Sequence, residues 1–565
     1  MVTIASIIRD ILNRINNYNL RLESSLTEAL NVSKKAILHE AEAPIAGVRG
    51  PPGTGKTKIM EGLVNDEDVI SELLEGGVKF VYIAPTNELT TSGFMRALAP
   101  VMKIMMQNTN DIRKVLSAVR IYGSAIPSPY FGNDLADLQA ELSRVGIEVD
   151  KESLKELLRG ITYGGIDNAQ FIFTTDYQRV SSRAKEPYRY KYVMFVDEAS
   201  KSPFYLPFNP ISDSELSSLA KGSEGGVIHG LVVVGDDRQA IALGPEYQGF
   251  GKRLLVLPKI KDVLDALGLS DQFKTLRMTF RLPAPTEEPI GDGFYGDVGG
   301  LEAFEESRNR LTQVFKNVDV TERLHSCEQL VGGVLGYDQL WRDVNRMLDL
   351  ALGDLNDPKP IIIGNTNKVI GPGEQFEPCR VKLAVYFALA LNCISGGSLG
   401  ISVIAPYRDL VDAARYYYRR LMSNMSSNIS RANVKFLTVQ SMLGGEDDIV
   451  ISMLGKEWSP RGEPTIYFRE PENLNVQFSR HRLMLIVIGD VTRLRNTAAK
   501  TAQDMGLDRE LSRMYSVEDI VRIRKTLDTM LGLAGITGLS LRTRIENLHY
   551  EYLGYGAVFR KVNCP

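Results

Sequence analysis

Residues Gly50 to Thr57, "GPPGTGKT", place three glycines, two prolines and a Lys-Thr pair directly after a short apolar run. The spacing G-x-x-x-x-G-K-T is that of the phosphate-binding P-loop. Its glycines let successive backbone N–H groups turn inward around an anion, and a helix starting near Gly55 would direct its positive end at the same anion. Lys56 would reach the β- and γ-phosphates of ATP, and the Thr57 hydroxyl would bind Mg²⁺. The predicted phosphate cradle is therefore Gly50, Pro51, Pro52, Gly53, Thr54, Gly55, Lys56 and Thr57.

Two further polar groups follow apolar runs that are typical of buried strands. Asp197 and Glu198 come directly after "YVMFV", and Gln239 ends "GDDRQ" after "LVVV". A carboxylate at the end of a strand can hold magnesium, and its neighbour can accept a proton from an attacking water. We expect Asp197 to bind Mg²⁺, Glu198 to act as general base, and Gln239 to bond both the water and the γ-phosphate. The structural alternatives are a pair of solvated acids and a polar turn.

These polar groups can act together only if the strands that precede them end at the same edge of a sheet. The sequence contains two sets of apolar runs that are suitable as such strands. The first set is "VKFVYIAPTN", "AQFIFTTD", "YVMFVDEAS" and "LVVVGDDRQ"; the second is "PIIIGNTN", "GISVIAPYRD", "VKFLTVQS", "DIVISML" and "LMLIVIGD". Nearly continuous apolar strands with helical patterns between them are typical of parallel sheets that are buried on both faces. Ligands of such sheets bind at the carboxyl ends of the strands, where these polar residues lie. The chain is therefore predicted to be α/β, with two such domains in tandem.

The segments between and after these runs have helical patterns. We predict a first domain from residues 1–93 with 166–295, a helical insertion at 94–165, a helical connector at 296–358, a second domain at 359–495 and a C-terminal helical segment at 496–565. The N-terminal residues have apolar positions at helical spacing, which is typical of an amphipathic helix and not of a signal peptide.

Composition limits the classes of function. The 565 residues are 44% hydrophobic with a formal net charge of −3, so a nucleic-acid ligand would need a local groove and not a general basic field. The four cysteines have no close paired spacing, which argues against a zinc site or a disulfide framework and favours a reducing, cytoplasmic location. The longest apolar stretch, 383–391, is too short to cross a bilayer and is expected to be a buried helix; no membrane partner is expected.

The motifs, taken in order, resemble those of superfamily 1 helicases. They are "GPPGTGKT", "APTN", "DEAS", "GDDRQ", "TFRLP", "APY", "TVQSMLGGE" and "LNVQFSRHR", and the resemblance covers most of residues 30–490. The sequence is most similar to the 5′-to-3′ group, which includes the nonsense-mediated-decay helicase, senataxin and the immunoglobulin-mu-binding helicase. The resemblance implies two tandem RecA-like P-loop NTPase domains.

Four more nucleotide-site residues follow from this resemblance. Phe280 matches an aromatic residue that stacks on adenine, and Arg281 matches an arginine that reaches the γ-phosphate. Arg480 matches an arginine finger from the second domain, and Glu446 an acid that contacts the ribose. Two guanidiniums would neutralise the charge that develops in phosphoryl transfer. A surface salt bridge is the structural alternative for each arginine.

The resemblance also implies a single-stranded DNA or RNA partner, held through its backbone. Hydroxyls and loop N–H groups suit this task because they bind phosphates without reading bases. The matching residues are Pro85, Thr86, Asn87, Thr174, Thr175, Pro406, Tyr407 and Thr438. Four arginines of the "RYYYRRLM" region, Arg408, Arg415, Arg419 and Arg420, would add local positive charge or form a solvated helix face.

Three positions depart from the family pattern. Lys34 replaces an upstream glutamine that reads the adenine edge in the related helicases, Leu443 replaces the glutamine of "FQG", and Ser200 replaces that of "DEAQ". The second departure puts coupling between the nucleotide and the strand in doubt. Ser200 can still donate a hydrogen bond.

Three functions remain open from the sequence. The first is a nucleic-acid-stimulated ATPase that moves 5′ to 3′ on single strands and unwinds duplexes. The second is an ATP-gated clamp or protein-displacing remodeller that unwinds weakly. The third is a P-loop switch without nucleic acid, which leaves the "APTN", "APY" and "TVQS" loops without a role. A protein partner on the helical segments is compatible with each.

Lysine at position 34 predicts relaxed nucleotide selectivity. An ammonium has donors only, so it cannot pair with both adenine N6 and N7 as an amide can. We expect kcat/KM for GTP to lie close to that for ATP in steady-state hydrolysis assays. A strong preference for ATP would contradict this.

Overall fold

The structure is a computed structural model of the full chain. It describes residues 3–13, 20, 22–109, 111–126, 128–129, 133–222, 226–239, 254–335, 338–371, 373–374, 376–424, 434–442, 444–457, 465–506, 511–512, 515–536 and 550–565.

The chain forms two compact units. The first runs to Pro51 and from Gly55 to Leu276, and the second contains Pro52–Thr54 and Arg277–Pro565. The division therefore falls at Leu276 and not at residue 295, where we placed the end of the first domain. A three-residue piece of the predicted phosphate cradle groups with the second unit.

The first unit is built on one seven-stranded sheet, in which every pair of neighbouring strands is parallel. Its spatial order is β3-β4-β2-β5-β6-β1-β7. All of these strands except the edge strand β7, which is partly exposed, are nearly wholly buried, as is typical of parallel sheets covered by helices. They are β1 (Ile45–Arg49), β2 (Val78–Ala84), β3 (Val119–Ile121), β4 (Phe171–Thr175), β5 (Lys191–Val196), β6 (Ile228–Gly235) and β7 (Phe273–Thr275).

The helices of the first unit begin at polar caps where the sequence supplies them. Thr3 and Ser6 form a reciprocal capping box on the first helix, and the Thr86 hydroxyl accepts the Leu89 N–H at the start of the longest. The helices are α1 (Ile4–Leu12), α2 (Ser24–Ile37), α3 (Lys56–Leu63), α4 (Glu67–Glu75), α5 (Asn87–Asn108), α6 (Ile112–Ser117), α7 (Asp134–Arg144), α8 (Lys151–Tyr163), α9 (Ser212–Ala220) and α10 (Val256–Ala266).

The second unit contains a second seven-stranded sheet, in the order β12-β11-β13-β14-β10-β16-β15. Its strands are parallel except β15, which pairs antiparallel with β16. A short parallel pair, β8 (Met278–Thr279) and β9 (Glu302–Ala303), lies apart from it. The sheet strands are β10 (Ile361–Thr366), β11 (Ile401–Ala405), β12 (Val434–Thr438), β13 (Asp447–Met453), β14 (His481–Gly489), β15 (Glu551–Leu553) and β16 (Ala557–Val562).

One helix of the second unit, Pro378–Ser395, is long and apolar enough to cross a membrane, but 78% of it is buried inside the protein. Residues 383–391 thus form the buried helix that we predicted. The helices are α11 (Glu288–Phe294), α12 (Arg310–Phe315), α13 (Val320–Leu335), α14 (Gln339–Leu352), α15 (Pro378–Ser395), α16 (Arg408–Asn424), α17 (Ile466–Arg469), α18 (Glu472–Phe478), α19 (Val491–Met505) and α20 (Val517–Leu533).

The predicted fold class is confirmed: the chain has two RecA-like α/β domains with parallel sheets and added helices. Two details differ. The insertion at 94–165 is not wholly helical, because it contributes β3 to the edge of the first sheet. The segment at 496–565 is not wholly helical either, because β16 pairs with β10 inside the second sheet. Both strands are short, and their pairing depends on partners that are distant in sequence.

The expectation that the cysteines stay unpaired is wrong. Cys327 pairs with Cys393, and Cys379 with Cys564, as two disulfides. Their sequence separations of 66 and 185 residues explain why spacing along the chain gave no sign of them. The argument for a reducing compartment thereby loses its basis, and a cytoplasmic location stays a prediction.

The contact between α11 and α20 depends on Gly293. A Cβ atom there would meet the Thr526 hydroxyl and would lie 2.9 Å from the Arg522 carbonyl oxygen. We expect Gly293→Ala to lower the free energy of unfolding by about 1–3 kcal/mol, because backbone atoms cannot yield as side chains do. Denaturant unfolding measures this.

Gly532→Ala is the matched control for this prediction. Gly532 also lies in α20, but its Cβ would meet no heavy atom within 4 Å. This variant should unfold like the wild type or at slightly higher denaturant, because alanine favours helix. Equal stability of the two variants would contradict the packing.

Candidate functional site

Three of the predicted motifs meet at the carboxyl ends of β5, β6 and β1, which are neighbours in the first sheet. The Gly50 N–H donates to the Gly235 carbonyl at 2.8 Å, which ties the start of the cradle to the "GDDRQ" turn. The Asp236 N–H donates to the Ser200 hydroxyl at 2.8 Å, which ties that turn to the "DEAS" loop. Ser200 thus keeps a bonding role despite its departure from the family pattern.

The cradle has the backbone that its glycines predict. Gly53 and Gly55 have φ values of 71° and 83°, in the left-handed region. α3 begins at Lys56, so its first-turn N–H groups face the loop. The Lys56 ammonium donates to the Gly50 carbonyl at 2.6 Å, inside the curve of the loop. An ammonium held there can move to phosphate oxygens.

The middle of the cradle is held by the "TFR" segment. The Thr279 hydroxyl donates to the Pro52 carbonyl at 2.8 Å, and the Phe280 N–H donates to the Gly53 carbonyl at 2.9 Å. A Cβ at Gly53 would collide with that of Arg281. Gly53 is therefore required for close approach as well as for its backbone angle, and Arg281 lies directly beside the cradle.

Asp197 is almost fully buried at the end of β5. Tyr82 donates its hydroxyl to one carboxylate oxygen at 2.7 Å, and the Glu198 N–H donates to the other at 2.8 Å. Burial, followed by the neighbouring Glu198 charge, raises the pKa of Asp197, and the Lys56 ammonium acts in the opposite direction. Lys56 and Asp197 are therefore close enough to interact electrostatically.

Glu198 has a φ of +50°, in a region that non-glycine residues rarely adopt. Such backbone persists only where surrounding contacts impose it, and it is commonest at functional sites. The Lys201 ammonium, itself buried, lies 3.1 Å from a Glu198 carboxylate oxygen. The Lys201 ammonium is thus an ion-pair partner that helps to fix the position of the Glu198 carboxylate.

The residues present fit a divalent cation. Asp197 is a buried carboxylate whose charge is not fully compensated, as its raised pKa indicates, and a hard cation would relieve that cost. Thr57 supplies a hydroxyl from the first turn of α3. Oxygen ligands of this kind, together with phosphates, are what Mg²⁺ takes in nucleotide sites.

Gln239 is buried in the turn after β6. Its side-chain amide donates to the Asp236 carboxylate at 2.6 Å, which orients the amide group. The turn is further fixed by a two-point ion pair between Arg49 and Asp237, with distances of 2.7 and 3.0 Å. The structure therefore places Gln239 at the same edge of the sheet as the cradle.

Two residues predicted separately from different motifs contact each other in the second unit. The Arg281 Nε donates to a Glu446 carboxylate oxygen at 2.7 Å, and its guanidinium also donates to the Ser479 carbonyl at 3.3 Å. Glu446 therefore orients Arg281. A carboxylate in this position also competes with phosphate oxygens for the same guanidinium.

The other two residues implied by the resemblance also lie in the second unit. The Phe280 ring packs on Phe304, with 5.1 Å between ring centroids. Arg480 is 4% exposed, and its carbonyl accepts the Asp447 N–H. Its neighbour His481 is fully buried, and burial lowers its pKa to about 3, so this imidazole is neutral. The arginine-finger role of Arg480 stays a prediction.

The predicted nucleic-acid residues of the first unit converge on Gly123, just past β3. A Cβ there would lie 3.0 Å from the Asn87 side-chain oxygen and 3.2 Å from the Thr175 hydroxyl. Pro85 and Thr86 lead into α5 beside Asn87 and are at least partly exposed. Thr174 is fully buried, and its hydroxyl donates to the Thr175 carbonyl. The motifs did not predict that the loop after β3 lies beside Asn87 and Thr175.

The predicted nucleic-acid residues of the second unit lie after β11 and β12, which are paired strands with Ala405 opposite Thr438. The Thr438 hydroxyl lies 2.9 Å from that of Ser441. Pro406 is partly exposed, whereas Tyr407 is largely buried against Gly455 and burial raises the pKa of its hydroxyl. Tyr407 therefore packs against the segment that follows β13, around Gly455.

A fully buried ion pair contacts the segment around Gly455 that packs against Tyr407. Arg380 and Glu457 lie 2.6 Å apart with no exposure, and Arg380 also donates to the Leu454 carbonyl at 2.7 Å. The Asp490 N–H donates to Glu457 at 2.9 Å. One arginine thus fixes the segments that follow β13 and β14, and breaking such a pair leaves an uncompensated buried charge.

Lys34 does not reach for a nucleotide base. Its ammonium lies 3.0 Å from the Asp66 carboxylate and 2.6 Å from that of Asp68, and both acids belong to the start of α4. These two ion pairs link α2 to the start of α4. Leu443 lies outside the described residues.

Asp176 is a buried acid that sequence patterns did not single out. It follows Thr175, and one carboxylate oxygen accepts the Ser202 hydroxyl at 2.5 Å. Burial raises the pKa of Asp176 to about 6. Since Ser202 follows the "DEAS" loop, this contact joins a predicted nucleic-acid loop to a predicted catalytic loop within one unit.

No family model and no curated protein matches the chain. Among solved structures, "S. cerevisiae Dbp5 bound to RNA and ADP BeF3" is similar at 12% sequence identity and a TM-score of 0.34, over 90% of this chain and 98% of that chain. A TM-score this low adds no support to a functional assignment, which rests on the contacts above.

The raised pKa of Asp176 predicts a stability that depends on pH. Since its folded pKa of about 6 lies above that of an unfolded aspartate, its contribution is complete below about pH 4 and is lost as pH rises through 6. Asp176→Asn mimics the protonated acid. Between pH 4 and 7 the wild type should lose on the order of 2–3 kcal/mol more unfolding free energy than Asp176→Asn.

The control is Glu75→Gln, which removes an exposed carboxylate from the same unit. It should keep the wild-type dependence on pH in chemical denaturation. An Asp176→Asn profile parallel to that of the wild type would contradict the assignment.

Proposed function

We propose that the protein is an ATPase that single-stranded nucleic acid stimulates, and that it uses hydrolysis to move 5′ to 3′ along the strand as a superfamily 1 helicase. The direction of movement and the choice of superfamily rest on the motif resemblance. DNA and RNA are both retained as ligands, because loops that bind phosphates do not select for the 2′-hydroxyl in a readable way.

The observation that carries this proposal is the meeting of three motifs at neighbouring strand ends. Gly50 contacts Gly235, Asp236 contacts Ser200, and Lys56 acts on the pKa of Asp197. A phosphate-binding loop, a buried carboxylate and an oriented glutamine at one sheet edge are what nucleoside triphosphate hydrolysis requires. The three motifs lie far apart in the sequence, between Gly50 and Gln239. If each were only an ordinary surface turn, there would be no reason for them to meet.

Each group then has a defined task. The cradle N–H groups and Lys56 bind the phosphates, and Thr57 and Asp197 would hold Mg²⁺, which when bound neutralises phosphate charge. Glu198 accepts a proton from the attacking water, and Gln239 orients that water. Arg281 leaves Glu446 for the γ-phosphate, where a planar guanidinium stabilises the transition state.

Stimulation by nucleic acid needs a path from the strand to the catalytic loop, and Asp176 supports one. A strand that binds at Asn87 and Thr175 shifts the adjacent Asp176. Its bond to Ser202 transmits the shift to the segment that holds Glu198 and Lys201. The second arginine, Arg480, would complete the site when ATP draws the two domains together.

ATPase assays with and without matched DNA and RNA oligonucleotides test this proposal. We expect turnover to rise at least several-fold with one or both oligonucleotides. Lys56→Ala and Glu198→Gln should lower kcat by a factor of about 10² or more, because each removes a group that acts on the reacting phosphate or water. Lys58→Ala, one residue past the motif, is the matched control and should keep most of the activity.

The outcomes separate the candidate functions. A rate that ignores both oligonucleotides would support the P-loop switch and reject the proposal. Normal turnover by Glu198→Gln would remove the general-base assignment alone. Displacement of a strand from 5′-tailed but not 3′-tailed duplexes would support the helicase. If oligonucleotides stimulated the ATPase but no strand were displaced from either duplex, the result would favour the ATP-gated clamp or remodeller.

A further inference from the structure

Three potential metal ligands lie together in the second unit, at the start of α15 and just after β16. They are the Glu377 carboxylate, the Cys379 sulfur and the Cys564 sulfur, and these atoms all lie within 4.8 Å of one another. All three residues are buried. Two cysteines and a carboxylate are ligands that zinc accepts. Spacing along the chain does not reveal this group, because Cys564 lies 185 residues from Cys379.

The Glu377 carboxylate is held in place as the N-cap of α15. One of its oxygens accepts the Cys379 N–H at 3.0 Å, and the other accepts the Arg380 N–H at 2.9 Å. An ionised carboxylate has about four lone-pair sites, so each oxygen can accept an N–H and still bind a cation. Hydrogen bonds of this kind orient the carboxylates of metal sites. Glu377 is therefore oriented before a cation arrives.

A cavity of about 810 Å³ gives access to this group from one side. Its described wall includes both Glu377 and Cys379. A buried metal site needs such an entry path. Three protein ligands also leave the fourth position of a tetrahedral zinc site to a water or another small molecule in the cavity.

Cys379 and Cys564 form a disulfide, so metal binding first requires its reduction. A dithiol reductant does this by exchange: one of its sulfurs attacks a cysteine sulfur, the S–S bond breaks, and its second sulfur resolves the mixed disulfide. The reductant leaves as a disulfide, and the two cysteines gain two electrons and two protons. The freed sulfurs can then move to the separation of roughly 3.8 Å that two thiolates on one tetrahedral zinc need, since each Zn–S bond is about 2.3 Å. Zinc binding releases both thiol protons to water.

We propose that Glu377, Cys379 and Cys564 bind one Zn²⁺ when the Cys379–Cys564 disulfide is reduced. The zinc site and the disulfide then alternate, and either of them fastens the segment after β16 to the start of α15. Because thiolates are soft ligands, the site should prefer Zn²⁺ to Mg²⁺. This inference goes beyond the proposed function and requires neither ATP nor nucleic acid.

The second disulfide supplies an internal control. Cys327 pairs with Cys393, but among the residues that the structure describes neither belongs to a group of three potential metal ligands. Reduction of this pair should therefore expose two thiols without creating a zinc site.

The zinc content of the full chain tests the proposal. The protein is reduced with a dithiol, freed of it by anaerobic gel filtration, and dialysed against Zn²⁺ before metal analysis. We expect about one zinc per reduced chain and only background zinc in the oxidised chain. Alkylation with iodoacetamide, followed by peptide mass spectrometry, should show that zinc protects Cys379 and Cys564 but not Cys327 and Cys393.

Two variants and their controls locate the zinc. Cys564→Ser should lower the zinc content to background, whereas Cys327→Ser should keep it. Glu377→Gln, which leaves both cysteine pairs intact, should weaken zinc binding at least about tenfold, because losing even an outer partner of a metal site costs about 10–100-fold. Glu374→Gln is its matched control, since Glu374 is exposed on the wall of the same cavity and lies outside the three-ligand group. It should bind zinc like the wild type.

Any of four results would overturn the proposal. Reduced wild-type protein that binds no zinc is the first, and Cys564→Ser that binds zinc as tightly as the wild type is the second, because the cation would then lie elsewhere. The third is equal protection of all four cysteines from alkylation. The fourth is a Cys379–Cys564 disulfide that a dithiol does not reduce in the folded protein.

Discussion

The parallel alignment of β1 with β6, closed by the hydrogen bond from Gly50 to Gly235, is the constraint on which the nucleotide site depends. Parallel strands all end at one edge, so loops that are far apart in sequence face the same space. The P-loop, the acidic pair and the glutamine turn each follow one of three adjacent strands. Their chemistry is assembled by strand order and not by proximity along the chain.

Several of the buried charged residues lie next to the predicted ligand loops. In the first unit, Asp197 and Asp176 lie at the ends of β5 and β4, and burial raises the pKa of each. In the second, Arg380 and Glu457 form a pair with no exposure behind the loop of Tyr407. Buried ionic groups cost free energy unless they are well bonded. Asp197, Asp176 and Arg380 are each hydrogen-bonded, which offsets part of that cost.

Two charged side chains discussed for the nucleotide site, Arg281 and Lys34, are engaged in ion pairs within the protein. Glu446 holds Arg281, and Lys34 is held by Asp66 and Asp68. To take its predicted role at the γ-phosphate, Arg281 would have to exchange the Glu446 carboxylate for a phosphate oxygen. The second pair engages the Lys34 ammonium within the protein, and relaxed nucleotide selectivity stays a prediction.

The sequence by itself determined the fold class, most of the strands and the local chemistry of the cradle, because apolar runs and glycine spacing act over a few residues. It did not determine β3, β16 or the two disulfides, since these depend on partners tens to hundreds of residues away. Nor did it reveal Tyr82, Lys201 or Asp176, ordinary residue types that gain a role only from what lies beside them. Tertiary structure alone places Arg408 on the wall of a cavity at the carboxyl ends of β11 and β12, whereas Arg420 of the same helix does not line that cavity. A charge on a helix has no fixed meaning until the surface opposite it is known.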